Sequence, residues 1–427
     1  MADIDQVYQL LERELNVEMR RLPESVSFAK LMAIFVPGKS FAIFGAGLSG
    51  KSLYEFLRAK GCMVSAFIDN NPLLDGSDVY GVEVFSPSRF GEEGMRQQPV
   101  LIASMHYYAI SKQLAGDFGL NSFSDYYVIH GFLLEDNIMG SGYGSELELY
   151  LQDHYEHIIS VAELWSDDHS RWRYFRYIYL RLYFLTPDYM DMMLFSSQTR
   201  LGSWAQEKLS RCLKLPPPVA HAVEVIMREH IYDFGGENPV SVRVGDRVID
   251  GGAWLGDSTL NFGLQVTPAG KVWAFEPDAN KCHLLRQNLS DVGMDDFIEV
   301  APLGLWSSNT TLKFAVSDDY HGAGSYLSDQ GEITVDVSSV DAFMESKGEQ
   351  VDFIKLDIEG SELEALNGAI KTIVTMRPRL AICLYHKKED LHQIPLYVSS
   401  LGCNYRMHFY HRGLVPTDAI MFAAVKG

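Results

Sequence analysis

Residues 247–260 read RVIDGGAWLGDSTL, and this stretch decides the fold. RVID is a short apolar run that ends in an acid. Glycines at Gly251, Gly252 and Gly256 then break the run, and helix-compatible residues follow, so the order is strand, Gly-rich turn, helix. Glycines at such a turn let the backbone approach a ligand closely, and a helix N-terminus offers unpaired N–H groups. A dinucleotide site wants similar geometry, but the spacing here is not GxGxxG and an acid begins the motif. The contacts expected from this stretch are Asp250, Gly251, Gly252, Gly256, Asp257 and Ser258. Asp250 is placed to receive the amino group of a bound amino-acid moiety.

Downstream the alternation continues. KVWAFEP (271–277), FIEVAPLGLWS (297–307), VDFIKLDIEG (351–360) and RLAICLYH (379–386) read as buried strands. SELEALNGAIKTIVTM (361–376) reads as one helix. YRMHFYH (405–411) and AIMFAAV (419–425) read as a closing antiparallel pair. Glu276 stands at the tip of the second strand, where a carboxylate can accept from two ribose hydroxyls. In Lys355-Leu356-Asp357-Ile358-Glu359-Gly360-Ser361-Glu362, period two expects Asp357 and Glu359 on one side of the chain. Two acids and a lysine at a strand end are costly if merely buried. Ser361 is expected to cap the helix that follows.

Together DGGAWLGDST, AFEPD, KLDIEGSELEAL and LYHKKEDLHQIP resemble the FkbM-type methyltransferases, in order from about residue 245 to 425. The resemblance implies a Rossmann-like fold, S-adenosylmethionine as cofactor and O-methylation, commonly of sugar or polyketide hydroxyls. Trp254 departs from the tyrosine or aliphatic residue expected at its position. The sulfonium already activates the methyl group, so its displacement needs alignment above all. A sugar hydroxyl must lose a proton during attack. His386 is the expected general base, since an unperturbed imidazole titrates at ~6.5; His321 and His411 are weaker candidates. Asp357 and Glu359 position the hydroxyl or, alternatively, hold a divalent metal through oxygen ligands, although the sequence identifies no third ligand.

The N-terminal part shares this grammar. FAIFGAG (41–47), LSGKSLYEFLRAKG (48–61) and MVSAFIDNN (63–71) read as strand, turn with helix, and strand. Gly45, Gly47 and Gly50 fit GxGxxG, and Asp69 ends the second strand, the full context of a dinucleotide fingerprint. VEVFSP (82–87), PVLIAS (99–104) and YAISKQLAGDFG (108–119) continue the alternation, and FIDNNP with GVEVFSP resembles Rossmann-like modules of sugar-modifying proteins. No hydride-transfer machinery is read after this segment. A site for a nucleotide or nucleotide sugar and a fold kept only for architecture both remain open.

The fold expected is α/β: two Rossmann-like doubly wound domains joined by a helical connector. Residues 1–36 are N-terminal helices, 37–140 the first domain, 141–240 the connector and 241–427 the methyltransferase-like domain. In the connector, residues 150–185 carry an aromatic stripe at helical spacing, read as core. Hydrophobic residues make up 47% and charged residues 22%, which suits a folded soluble protein. The formal net charge of -20, without Lys or Arg runs, argues against nucleic acid and anionic membrane surfaces as partners. The partners expected are a small-molecule or glycan-precursor acceptor and further copies of the chain as a homo-oligomer. Five scattered cysteines, Cys62, Cys212, Cys282, Cys383 and Cys403, argue against disulfides or structural zinc and for a reducing compartment. With a charged helical N-terminus and no apolar run of ~20 residues, a cytoplasmic location is expected. A nucleotide-sensing scaffold and an NAD-dependent enzyme are the competing readings; the set Asp250, Glu276 and Asp357 favours methyl transfer.

Overall fold

The computed structural model describes residues 3–16, 35–92, 99–103, 110, 113–114, 126–128, 144–183, 214–229, 231–235, 239–316, 325–327, 331–411 and 419–425. The second helix expected within 1–36, most of the helix expected at 108–119, connector residues 184–213 and His321 lie outside them. The chain divides into two compact units. The first comprises Met1–Glu12, Asn16–Asp153 and Ile178–Phe195; the second comprises Arg13–Leu15, His154–Tyr177 and Ser196–Gly427. Both are α/β, and no helix among the described residues is long and apolar enough to cross a membrane.

The first unit holds a six-stranded sheet. Its strands are β1 Ser40–Phe44, β2 Met63–Ile68, β3 Asp78–Val79, β4 Val82–Phe85, β5 Val100–Ile102 and β6 Tyr126–Val128, in the order β3-β4-β2-β1-β5-β6. All neighbours are parallel except β3 with β4. Phe41, Ala42, Ile43 and Phe44 of β1 are all buried, as expected for a central strand with both faces covered. The helix Leu48–Ala59 makes the crossover to β2, since parallel neighbours cannot be joined by a tight turn.

In the second unit the main sheet has seven strands. They are β7 Arg247–Gly251, β8 Lys271–Phe275, β9 Ile298–Ala301, β14 Phe353–Leu356, β15 Arg379–Cys383, β16 Tyr405–Tyr410 and β17 Ile420–Val425. The order is β16-β17-β15-β14-β7-β8-β9, parallel except where β17 meets β15 and β16. The chain runs outward from β7 through β8 and β9, then returns to the far side of β7 as β14. Such a reversal is where doubly wound sheets bind ligands, outside the carboxyl ends of the strands.

Two sequence expectations need correction. FIEVAPLGLWS is not one strand: it ends as β9, and Gly304–Leu305 (β10) joins a separate sheet with β11 Thr310–Ala315, β12 Tyr326–Leu327 and β13 Ile333–Ser338, in the order β10-β13-β11-β12. Nor is SELEALNGAIKTIVTM one helix. It forms Glu362–Asn367 and Ile370–Met376, broken at Gly368, where an added Cβ would stand 2.1 Å from the Trp306 carbonyl oxygen. Close packing against Trp306 fixes the break.

Candidate active site

The carboxyl ends of four adjacent strands carry the expected residues. Glu276 follows β8, Asp250 and Gly251 end β7, Asp357 follows β14 and His386 lies beyond β15. The register sets Lys355 opposite Asp250 and Leu356 opposite Gly251. Gly252 has φ +78°, and a Cβ there would fall 1.9 Å from the Asp357 carbonyl oxygen. Only glycine lets the two motif loops touch.

Asp250 is buried and held from within. It accepts from Ser258 Oγ (2.9 Å to Oδ2) and Thr259 Oγ1 (2.6 Å), and Lys355 Nζ stands 3.1 Å from Oδ1. The same Nζ donates to the carbonyls of Gly251 (3.0 Å) and Gly252 (2.8 Å). Burial opposes the charge on Lys355, but Asp250 and Asp357 outweigh it and raise the ammonium further. Asp250 therefore anchors the turn against Lys355 and the start of the helix Asp257–Val266. Gly256 precedes that helix with φ +103°, and Asp257 opens it and accepts from the Ser258 N–H at 2.8 Å. Burial pushes the Asp257 carboxyl up to about 6.

Glu276 is buried and aimed by two backbone donors, Trp254 N–H at 3.1 Å to Oε2 and Asp278 N–H at 2.9 Å to Oε1. Each oxygen keeps a lone pair for a ligand hydroxyl. Burial pushes its carboxyl up to about 7. Trp254 holds φ +45°, unusual for a bulky residue. Its backbone serves Glu276 while its side chain packs on the core.

The third cluster centres on His386. Nδ1 lies 2.9 Å from Glu362 Oε1, and Nε2 lies 3.4 Å from both Asp357 Oδ1 and Glu359 Oε2. Burial alone would lower the imidazole, but Glu362, Glu359 and Asp357 prevail and raise it to about 10. The expectation of a base titrating at ~6.5 is thus not met: these carboxylates hold His386 as a cation at neutral pH. Burial pushes the Glu359 carboxyl up to about 7. Asp357 stays low despite burial, through Lys355, His386 and the hydroxyls of Tyr232 (2.8 Å) and Tyr385 (2.7 Å). Asp357 and Glu359 do meet at His386, but not by strand period: β14 ends at Leu356, and Glu359 turns with φ +53°. Ser361 makes no capping bond through its side chain, contrary to expectation; the Ile358 N–H is taken by Glu362 Oε1 instead (2.8 Å). His411 packs edge-on against Tyr177 rather than in this cluster.

Glu362, Tyr232, Tyr385 and Thr259 were not foreseen as site residues. Glu362 was visible inside KLDIEGSELEAL but read as a helix residue. Tyr232 sits in the expected connector, where no motif marks it. One ligand atom each from Asp357, Glu362 and His386 lies within 4.8 Å of the other two, the arrangement among the described residues that could hold a metal ion.

In the first unit, Gly45 (φ +114°) turns the chain out of β1, and Gly47 caps the helix Leu48–Ala59. A Cβ on Gly50 would meet the Gly45 carbonyl oxygen at 1.8 Å, so close packing of helix on turn explains that glycine. Asp69 is spent locally: Oδ2 accepts from the Ala46 N–H (2.9 Å) and Oδ1 from the Asn71 N–H (2.8 Å). It braces the glycine turn.

Residues 250–407 match the family model described as the methyltransferase FkbM domain. The second unit carries an FkbM methyltransferase domain. Its activity is S-adenosylmethionine-dependent methyl transfer. The fold agrees with a crystal structure titled methyltransferase FkbM from Methylobacillus flagellatus, at 19% identity and a TM-score of 0.62, covering 98% of this chain and 99% of that one. A SAM-dependent O-methyltransferase from Thermotoga maritima matches at 14% identity and a TM-score of 0.31, over 48% of this chain and 71% of its own. An O-methyltransferase from Bacillus cereus in complex with SAH matches at 14% identity and a TM-score of 0.30, over 56% and 96%. A search of curated proteins found no match. In the FkbM domain, the matched segment opens at Asp250 and takes in Glu276, Asp357, Glu359 and His386, but begins after Tyr232.

Proposed function

We propose that the FkbM domain methylates a hydroxyl of a carbohydrate, nucleotide sugar or related precursor. The observation that carries this reading is the contact of Gly252 with the Asp357 carbonyl, which puts the glycine turn beside the Asp357, Glu359 and His386 cluster. In this reading the turn from Gly251 to Ser258 cradles the methionyl part of S-adenosylmethionine, and Glu276 takes the ribose hydroxyls. Asp250 acts through Lys355 and Ser258, from inside the turn.

The acceptor hydroxyl then sits over Asp357 and Glu359, whose side chains are about one-fifth to one-quarter exposed, while His386 and Glu362 lie behind them. The attacking oxygen forms its bond to the methyl carbon as the sulfonium leaves as a neutral thioether, and its proton passes to the carboxylate side of the cluster. Glu359 is the group that accepts it, with the His386 cation steadying the charge. The sequence alternative, a divalent metal at Asp357 and Glu359, gains His386 and Glu362 as further ligands.

For the first unit we propose a nucleotide or nucleotide-sugar site at Gly45, Gly47 and Gly50, with Asp69 bracing the turn. The test of the main reading is methyl transfer from labelled S-adenosylmethionine to a panel of free sugars, nucleotide sugars, phenols and amines. Label in a sugar hydroxyl supports it; label appearing only in amines or phenols refutes it.

A further inference from the structure

We propose that His386, Asp357 and Glu362 bind one divalent transition-metal ion, with Glu359 beside it as an additional carboxylate. This rests on the reading of the same strand edge as the place where the acceptor hydroxyl is deprotonated.

The donor geometry comes first. Asp357, Glu362 and His386 each offer a ligand atom within 4.8 Å of the others, and Glu359 Oε2 is 3.4 Å from the imidazole Nε2. Ligands sharing an ion at ~2.1 Å are themselves roughly 3–4 Å apart, so the 3.4 Å separations of Asp357 and Glu359 from Nε2 are of the right size, while Glu362 meets the other ring nitrogen, Nδ1, at 2.9 Å. The second observation is that His386 Nε2 and Glu362 Oε2 are buried without a hydrogen-bond partner among the described residues. Nε2 stands equally far from two carboxylate oxygens and is aligned with neither. A buried polar atom left this way is costly unless something else satisfies it.

The surroundings fit a ligated carboxylate. Tyr232 and Tyr385 each donate to one oxygen of Asp357, and outer donors of this kind orient a metal-binding carboxylate. The donor set is oxygen-rich with one imidazole, which suits Mn2+, Co2+ or Zn2+ better than Mg2+ or Ca2+, and a bound ion takes the place of the proton that the carboxylates otherwise hold on His386. Asp357 and Glu359 line the accessible side, so an acceptor oxygen can complete the coordination. An ion there would lower the pKa of the bound hydroxyl and orient it toward the methyl group.

The test uses the full chain, treated with chelator and then titrated with Mn2+ alone, read by electron paramagnetic resonance and calorimetry. We expect one saturable ion per chain, displaced by Zn2+, and at least tenfold weaker binding in both Asp357→Asn and His386→Gln. S-adenosylmethionine affinity in the same variants reports whether the domain is folded. Should either variant lose it, Glu359→Gln, at the most accessible ligand, is read instead, with severalfold weakening expected. Absence of saturable Mn2+ binding in the wild type, or binding unchanged in folded variants, overturns the proposal. Metal binding without methylation of any hydroxyl leaves the ion site standing and removes the acceptor reading. Methylation of a sugar hydroxyl by chelator-treated protein that binds no ion does the reverse.

Discussion

Gly252 and Asp357 touch through their backbones: a Cβ on Gly252 would lie 1.9 Å from the Asp357 carbonyl oxygen. The glycine turn and the acidic loop therefore cannot shift independently. Gly252→Ala must both hold φ +78° with a side chain and push the loops apart. Strain of this kind costs about 1–3 kcal/mol for the backbone alone, so lowered thermal stability and weakened S-adenosylmethionine binding are expected together. Calorimetric melting with and without cofactor checks this; normal cofactor affinity in the variant would contradict it.

Glu276 gives a pH prediction. Burial raises its carboxyl to about 7, so it is ionised above that pH and increasingly protonated below. On the proposed reading the ionised form accepts from two ribose hydroxyls, whereas the protonated form loses acceptor capacity. Cofactor affinity should fall as pH drops from 8 to 6, up to tenfold per unit below the pKa. Glu276→Gln should bind more weakly and with a flatter profile, and Glu276→Ala should lose about 1–3 kcal/mol. Titration calorimetry at three pH values decides it; parallel profiles for wild type and Glu276→Gln would remove the assignment.

The two tyrosines on Asp357 should be separable from cofactor binding. Tyr232→Phe and Tyr385→Phe each delete one bond to an ionised carboxylate, worth about 1.5–3 kcal/mol. We expect turnover to fall by roughly tenfold or more with cofactor affinity within about twofold of wild type, since the bonds orient Asp357 rather than the turn. Steady-state kinetics on the methylated acceptor measure the split.

Lys355→Met should be among the harshest single changes in the second unit. It leaves Asp250 buried without its cation and frees the Gly251 and Gly252 carbonyls. Breaking a buried pair in this way costs about 3–5 kcal/mol. Denaturant unfolding reads the loss. Lys355→Met with Asp250→Leu should recover part of it, because the uncompensated charge goes too.

Gly50→Ala tests the first unit. The added methyl would meet the Gly45 carbonyl oxygen at 1.8 Å, so the turn or the helix must move. Proteolysis should begin earlier within the first unit, while S-adenosylmethionine affinity in the FkbM domain stays within twofold. A stable, uncleaved variant would mean the turn yields without cost.

The strand-end residues were legible because each ends a short apolar run: Asp250 after RVI, Glu276 after VWAF and Asp357 after FIKL. Runs of that kind report both burial and register, and parallel strands bring their ends to one edge. What the runs could not convey was partnership. Asp250 was read as a ligand contact, yet its carboxylate is held by Ser258, Thr259 and Lys355. His386 was read as an ordinary imidazole because the carboxylates about it come from a loop and a helix start 24–29 positions earlier in the chain. The break at Gly368 and the four-stranded sheet built on β10 to β13 depend on contacts with Trp306 and its neighbours, which no local pattern encodes.

Tyr232 lies 18 positions before the family match begins, yet its hydroxyl donates to Asp357, a central acid of the proposed site. The portable piece of this enzyme is therefore longer than its motifs. A gene fusion or domain transplant cut at Asp250 would sever β7 and leave Tyr232 behind as well, so Asp357 would arrive with one of its two tyrosine supports missing. Selection on such recombinants would favour crossovers upstream of Tyr232, so the inherited unit would include part of what reads as linker.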